Sequence, residues 1–421
     1  FEGTCLSAIT AFSNGLVIGQ DLHFENISGS AVLSYEKGHV QIDIANIKNC
    51  KGPSIHLRDH SVCKLRNILV KNGQCAEIVI NDGIIDSNFN SSITIGAEIA
   101  NTSNFTFVNC DFSDNKACGI SFHDQVKAIF ENCKFNRNQF GVDISGNGCS
   151  PTFNNCEFSN NQEVGSNCIS SSPTFNKCTF NFNGKMGLGC KSANLTINDS
   201  LITKNGQVGA SIYGGSTLIL NRTTFDTNDN SACQISQKGS VMKLFDCKVI
   251  NHLVSCVVLD EAKIRCRNTI FDKSRNPHFE VARGGFASLN SCDIGPSFSG
   301  NGIQVHDNGR IKMRKTKVHH QAKLGILVGN QGICQILDHS IFENNGQIAV
   351  VCLENSKTEI LNSTLNSNGL FAVQAQGGEL TVQNCTISNH TQCAVFASKN
   401  VKLSYSGNNF TNNGAKDIVI Q

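Results

Sequence analysis

The chain has 421 residues, and its 35 Lys+Arg against 33 Asp+Glu leave a formal charge of +2. Charged residues make up only 16% of it, which excludes a charge-rich disordered tail and speaks against a general nucleic-acid binder. No run of 18 apolar residues is present, which excludes a transmembrane helix.

In chain order, residues 1–38 fit no clear repeat and are expected to form an irregular N-terminal coil or cap. The chain starts on Phe1 with no signal peptide, so the start is expected to have been removed or left out. Residues 39–421 are expected to form one domain, with irregular early coils at segments such as Ile42-Asp43-Ile44 and Ile93-Thr94-Ile95.

From residue 104 a signature recurs: Asn109-Cys110-Asp111-Phe112, Asn132-Cys133-Lys134-Phe135, Asn155-Cys156-Glu157-Phe158 and Lys177-Cys178-Thr179-Phe180. Its second residue continues as a small anchor through Ser200, Thr223, Cys247, Thr269, Cys292, Thr316, Ser340, Ser363, Cys385 and Asn408, in steps of 22–24 residues. Large apolar residues hold phase two positions after the anchor and three before it, and Asn dominates five after it (Asn115, Asn138, Asn161, Asn183, Asn205, Asn228, Asn345, Asn368, Asn413). Within a unit, apolar residues alternate over three to five positions, as in Leu218-Ile219-Leu220, which predicts short strands separated by Gly, Asn and Ser turns. One such unit has no partner for its apolar face, and stacking supplies one.

This repeat resembles the right-handed parallel β-helix of the pectate-lyase-like superfamily. The resemblance implies an all-β solenoid with three short strands per coil. The Phe and aliphatic columns then form interior ladders, and the Asn column forms a turn ladder, because Asn tolerates left-handed backbone and stacked amides bond between coils.

The 21 cysteines lack CxxC pairs and zinc spacing, so no metal site is expected. Stacked anchor thiols have parallel Cβ directions and read as small buried hydrophobes. So many thiols favour an intracellular location, cytoplasmic or cytoskeletal. Sequons at Asn26, Asn104, Asn194, Asn221, Asn362 and Asn389 speak for the alternative, a secreted or cell-surface protein.

The superfamily's catalytic constellations are incomplete in this sequence. Resemblance to a pectate lyase implies acidic pairs on neighbouring coils, and Asp260-Glu261 has no partner in phase. Resemblance to a polygalacturonase implies four motifs, of which only Arg310-Ile311-Lys312 is present. The pairs Asp59-His60, His123-Asp124 and His306-Asp307 lie several coils apart and read as turn residues, and His319-His320 lacks an evident third metal ligand. No catalytic residue, metal or cofactor is assigned.

One cluster rises above this background. Cations crowd residues 243–323, and four residues before successive anchors stand Lys243, Arg265, Ser288 and Lys312. That position points outward, so stacking turns it into a stripe. Lys243, Arg265, Arg267, Arg310, Lys312, Arg314 and Lys317 are the expected binding residues for an acidic partner. Nearby Asp246, Asp260, Glu261, Asp272 and Asp293 are the acids that would neutralise it instead.

The favoured functional reading is a non-catalytic scaffold that presents a rigid surface to protein partners. It resembles F-box proteins of the β-helix type, with a place in a cytoskeletal or ubiquitin-ligase-type assembly. The C-terminal coil lacks a capping helix, so either the chain is cut short there or another chain or domain is expected to dock on that edge. One alternative is a polysaccharide lyase or hydrolase acting on an acidic glycan. The other is a surface or secreted adhesin: the Phe-x-x-Asn tetrads (Phe112–Asn115, Phe135–Asn138, Phe342–Asn345) resemble those of bacterial polymorphic membrane proteins.

Overall fold

The computed structural model describes residues 7–421 apart from 52, 60, 72–77, 81–82, 93–94, 100–103, 124 and 415, with side chains described outside 62–105. The chain forms two compact units, 1–207 and 208–421. Each is a stack of β-coils, and no helix occurs among the described residues.

A coil of the first unit shows the plan: Thr174–Asn176, Thr179–Asn181 and Met186–Lys191 are three short strands. We call their sheets a, b and c. Each strand pairs parallel with its equivalent one coil away, without offset: Phe153 with Phe175, Phe158 with Phe180, Cys168 with Cys190. The second unit repeats the plan, with Val241–Phe245, Lys248–Ile250 and Val254–Val258 as one coil. The architecture is the right-handed parallel β-helix that the period predicts.

The in-register stack explains the columns. In the first unit, Phe107, Phe130, Phe153 and Phe175 stack at centroid spacings of 5.0, 4.8 and 5.0 Å. Phe112, Phe135, Phe158 and Phe180 form a second ladder at 5.5, 4.9 and 4.7 Å. The two ladders meet edge to face, as at Phe175–Phe180 (5.2 Å). Each ring is fully buried, so each supplies apolar burial and aromatic contact together.

The corners explain the rest. Asn109, Asn132 and Asn155, just before the anchors, have φ of 52–54°, a left-handed conformation that Asn tolerates. The anchors behind them are small because the sulfur tucks under the previous coil: Cys178 Sγ donates to Phe153 O at 3.4 Å. Five residues past the anchor the amides interlock. Asn161 Oδ1 accepts the Asn138 N–H (2.9 Å), while Asn161 Nδ2 donates to Phe135 O (3.0 Å) and Asn183 Oδ1 (2.8 Å). Gly141, which opens a sheet-c strand, leaves no room for a side chain: a Cβ there would lie 2.3 Å from Gly165 O.

The segment 1–38, expected to be an irregular coil or cap, carries Ser7–Ala11, Leu16–Glu25 and Ser30–Ser34 from Ser7 onward. Leu16–Glu25 pairs in register with His39–Lys48. These ten-residue strands turn a corner without a break, bending at Asp21 and Ile44 (φ 50° and 67°). That is why the three-strand rhythm is hard to read there. Of the early examples, Ile93 and Thr94 lie outside the described residues.

Candidate functional site

Sheet a of the second unit presents the cation cluster as a surface. The strands Val241–Phe245, Lys263–Arg267, Phe286–Asn290 and Arg310–Arg314 lie side by side in register. Their even-phase residues (Met242, Leu244, Ile264, Cys266, Ala287, Leu289, Ile311, Met313) are buried, so the alternate ones face outward. Three outward rows result. The middle row is Lys243, Arg265, Ser288, Lys312, as the spacing predicts. A flanking row holds Lys263, Phe286 and Arg310, and the other holds Phe245, Arg267, Asn290 and Arg314. Phe286 is half-buried, so part of its ring lies open between two cations.

Lys263 belongs to this face although the anchor spacing does not single it out. Its signal is the alternation Lys263-Ile264-Arg265-Cys266-Arg267, which puts three cations on one side of a strand. Lys317 is the correction in the other direction. It lies past the corner on sheet b and is held by Glu343 at 2.6 Å. The neighbouring carboxylate raises the Lys317 pKa, and the residue does not join the face.

Of the five acids expected to neutralise the stripe, four are engaged elsewhere. Asp260 pairs with Arg283 (2.9 Å), Glu261 with Lys238 (3.0 Å) and Asp293 with His319 (2.9 Å). Asp246 accepts from the Asn268 amide at 3.1 Å. On the face itself only Arg314 has a carboxylate, Asp338 at 3.1 Å. Among the described residues, Lys243, Lys263, Arg265, Arg267, Arg310 and Lys312 have no ion-pair partner. Such a field attracts anions, and Phe286 adds a flat apolar surface within it.

The Asn ladder departs from its pattern in these coils. Its column reads Asn228, His252, Ser274, Ser297, Gln321, Asn345. The space left by the small serines takes His278, whose Nδ1 lies 3.0 Å from Ser255 Oγ and whose Nε2 lies 3.1 Å from Gly295 O. Burial lowers the His278 pKa to about 4.

The other candidates stay apart. His306 bonds its neighbour Asp307 at 2.9 Å in a surface turn. His60 and Asp124 lie outside the described residues. Arg310 and Lys312 both face outward with Ile311 buried between them, as cations of the face. Among the described residues no three His, Cys, Asp or Glu side chains are grouped to hold a metal ion.

The thiols correct the inference about compartment. The described cysteines are free and buried. Burial pushes the Cys247 and Cys352 thiols up to about 12. Small buried thiols fill the narrow positions of the coil, so their number reports the coil's need for small side chains. The intracellular expectation has no support left.

A family model described as "Right handed beta helix region" matches residues 8–174, 168–294 and 278–420. Among curated proteins nothing matches. Solved structures similar to this chain include a PL6 family alginate lyase, AlyGC, in mutant form (8% identity, 98% of this chain and 95% of that one, TM-score 0.31). A second is the catalytic unit of a thermostable GH87 α-1,3-glucanase from Streptomyces thermodiastaticus strain HF3-3 (9%, 91% and 64%, TM-score 0.29). A third is the catalytic domain of a GH87 α-1,3-glucanase in complex with nigerose (12%, 89% and 65%, TM-score 0.22). Overlays this loose assign no residue a role here. The scaffold expectation is not borne out: the three structures named are of polysaccharide-cleaving enzymes, not of scaffolds.

Proposed function

The chain belongs to the right-handed β-helix family, and on that premise we propose that it is a polysaccharide lyase or hydrolase that holds an acidic glycan on the outer face of sheet a. One observation carries the reading: six cations without carboxylate partners stand on adjacent, in-register strands. Strands repeat every ~4.8 Å along the stack. A polyanion lying across them meets Lys243, Arg265 and Lys312 in turn, with Ser288 as a hydrogen-bonding gap and Phe286 as a surface for a sugar ring. Surface charge held in excess steers a polyanion and releases its counterions on binding. Extracellular action suits such a substrate, and exposed sequon residues Asn26, Asn194, Asn362 and Asn389 are compatible with a secreted protein.

The test is calorimetric titration with polygalacturonate and alginate, and with dextran as the neutral control. Binding of a polyuronate that weakens with salt and falls further in Arg265→Gln/Lys312→Ala supports the reading. Equal binding of dextran, or polyuronate binding untouched by the double variant, refutes it.

A further inference from the structure

One corner away from the cation face, the same coils carry a second constellation on sheet b. Ile270–Asp272, Asp293–Ile294 and Lys317–His319 are its strands. Phe271 pairs with Ile294 and Ile294 with Val318, so Gly295 stands between Asp272 and His319. No side chain fills that place. A Cβ at Gly295 would lie 3.3 Å from Asp272 Oδ1 and 3.5 Å from His319 Cε1, so both side chains lean over the glycine.

The histidine is held at both nitrogens. His319 Nε2 lies 2.9 Å from Asp293 Oδ1, and its Nδ1 lies 2.8 Å from His320 Nδ1. An ionised carboxylate only accepts, so Nε2 of His319 carries the proton. Nδ1 of the neutral ring then only accepts, so His320 donates from Nδ1. His320 Nε2 is left as a bare lone pair on an exposed residue. His319 is well enclosed (18% of its side chain exposed), which fixes the chain of bonds.

The turn beyond this chain suits a uronate. Phe298 is 64% exposed. Its N–H donates to Ser274 O (2.8 Å), and Ala322 N–H donates to Ser297 O (3.1 Å), so three successive turns stack here. Lys273, Arg275 and Lys323 on those turns are exposed and without ion pairs among the described residues. The charged groups on the strands and turns of these coils are Asp272, Asp293, Lys317 and Glu343 on sheet b, and Lys273 and Lys323 on the turns.

We propose that His320 Nε2 is the proton acceptor of a β-elimination in a uronate-containing glycan, with His319 and Asp293 as positioning residues. The proposal rests on the acidic-glycan reading above, and has the polymer turn the corner at Lys315 from sheet a across sheet b to reach His320. His320 Nε2 takes the proton from the carbon that bears the carboxylate (C5). The C–H electron pair becomes the C4–C5 double bond, and the C4–O bond breaks with its pair on the leaving oxygen. That oxygen takes a proton from water, and the imidazolium returns its proton to the hydroxide formed. Exposed cations of these turns, Lys273, Arg275 and Lys323, give the region the positive field that a developing carboxylate charge needs. Asp293, through His319, stabilises the imidazolium and keeps the tautomer.

The experiment uses the whole chain with polygalacturonate and alginate. It follows the absorbance of unsaturated ends, polymer binding by calorimetry, and the ring ¹⁵N shifts of the histidines. His320→Ala is expected to lower kcat by ~10²–10⁴, the usual worth of a general base, with polymer affinity within about twofold. Asp293→Asn is expected to lower kcat less and to release His320 from its Nδ1–H form, which a purely structural role would leave unchanged. Full turnover in His320→Ala, or a wild-type His320 protonated at Nε2, overturns the proposal. A wild type that binds polyuronate but releases no unsaturated ends overturns the proposal and spares the glycan reading. A wild type that binds neither polymer overturns both.

Discussion

Replacing Arg265 by glutamine is expected to stabilise the fold while weakening its hold on a polyanion. Arg265 is surrounded by like charge: Lys243 on the adjacent strand, Lys312 two strands away, and Lys263 and Arg267 two residues along its own strand. With strand and residue spacings of ~4.8 and ~3.3 Å, Coulomb's law in water gives about 0.9 kcal/mol for Lys243, about 0.4 for Lys312 and about 0.6 for each strand neighbour. A Debye length of ~8 Å cuts the total to about 1 kcal/mol at physiological salt, and ~30 Å at 0.01 M leaves about 2. Urea is uncharged, so urea unfolding can be followed at both salt levels. Arg265→Gln is expected to gain about 1 kcal/mol at the higher salt and more at the lower. Loss of one exposed charge pair is expected to weaken polyuronate binding about twofold to fivefold. Destabilisation that deepens at low salt would refute the reasoning, because Arg265 would then be paired within the fold rather than held open for a ligand.

Two further outcomes follow from the interior. Asn161→Ala strips the Asn138 N–H and Phe135 C=O of their partners. At ~1–3 kcal/mol for each buried unsatisfied group, it is expected to cost about 2–6 kcal/mol in urea unfolding. His278 gives a pH signature. Burial lowers its folded pKa to about 4 from the ordinary 6.5, so below 6.5 the unfolded chain takes up a proton that the folded one refuses. Stability is therefore present above pH 6.5 and lost as pH falls toward 4, by up to ~3 kcal/mol at 1.36 kcal/mol per pH unit. Unfolding at pH 7 and pH 5 checks this, and His278→Asn is expected to flatten the difference.

The parts of this molecule that repeat straight up a column are legible in the sequence. Cys133, Cys156 and Cys178, the paired Phe ladders and Asn115 through Asn205 share a phase, and in-register stacking places each on its equivalent. The Lys243–Arg265–Ser288–Lys312 row follows for the same reason. What escapes is anything that crosses columns. Asp293 and His319 are 26 residues apart, one coil of 24 plus two, so their contact runs diagonally and a column-by-column search for acids passes over it. Lys317 is misplaced because nearness in sequence ignores the corner at Lys315 (φ 48°), which turns it onto another sheet. The early coils hide their repeat because one long strand does the work of two. The thiols carry little information on location, because a small anchor is a packing requirement of the corner.

The most direct measurement is incubation of the purified chain with polygalacturonate and with alginate, following new chain ends with time, beside Lys312→Ala and a dextran control. The account predicts new ends from a polyuronate, fewer from Lys312→Ala and none from dextran. No new ends from either polyuronate, or cleavage that ignores the loss of Lys312, would contradict it.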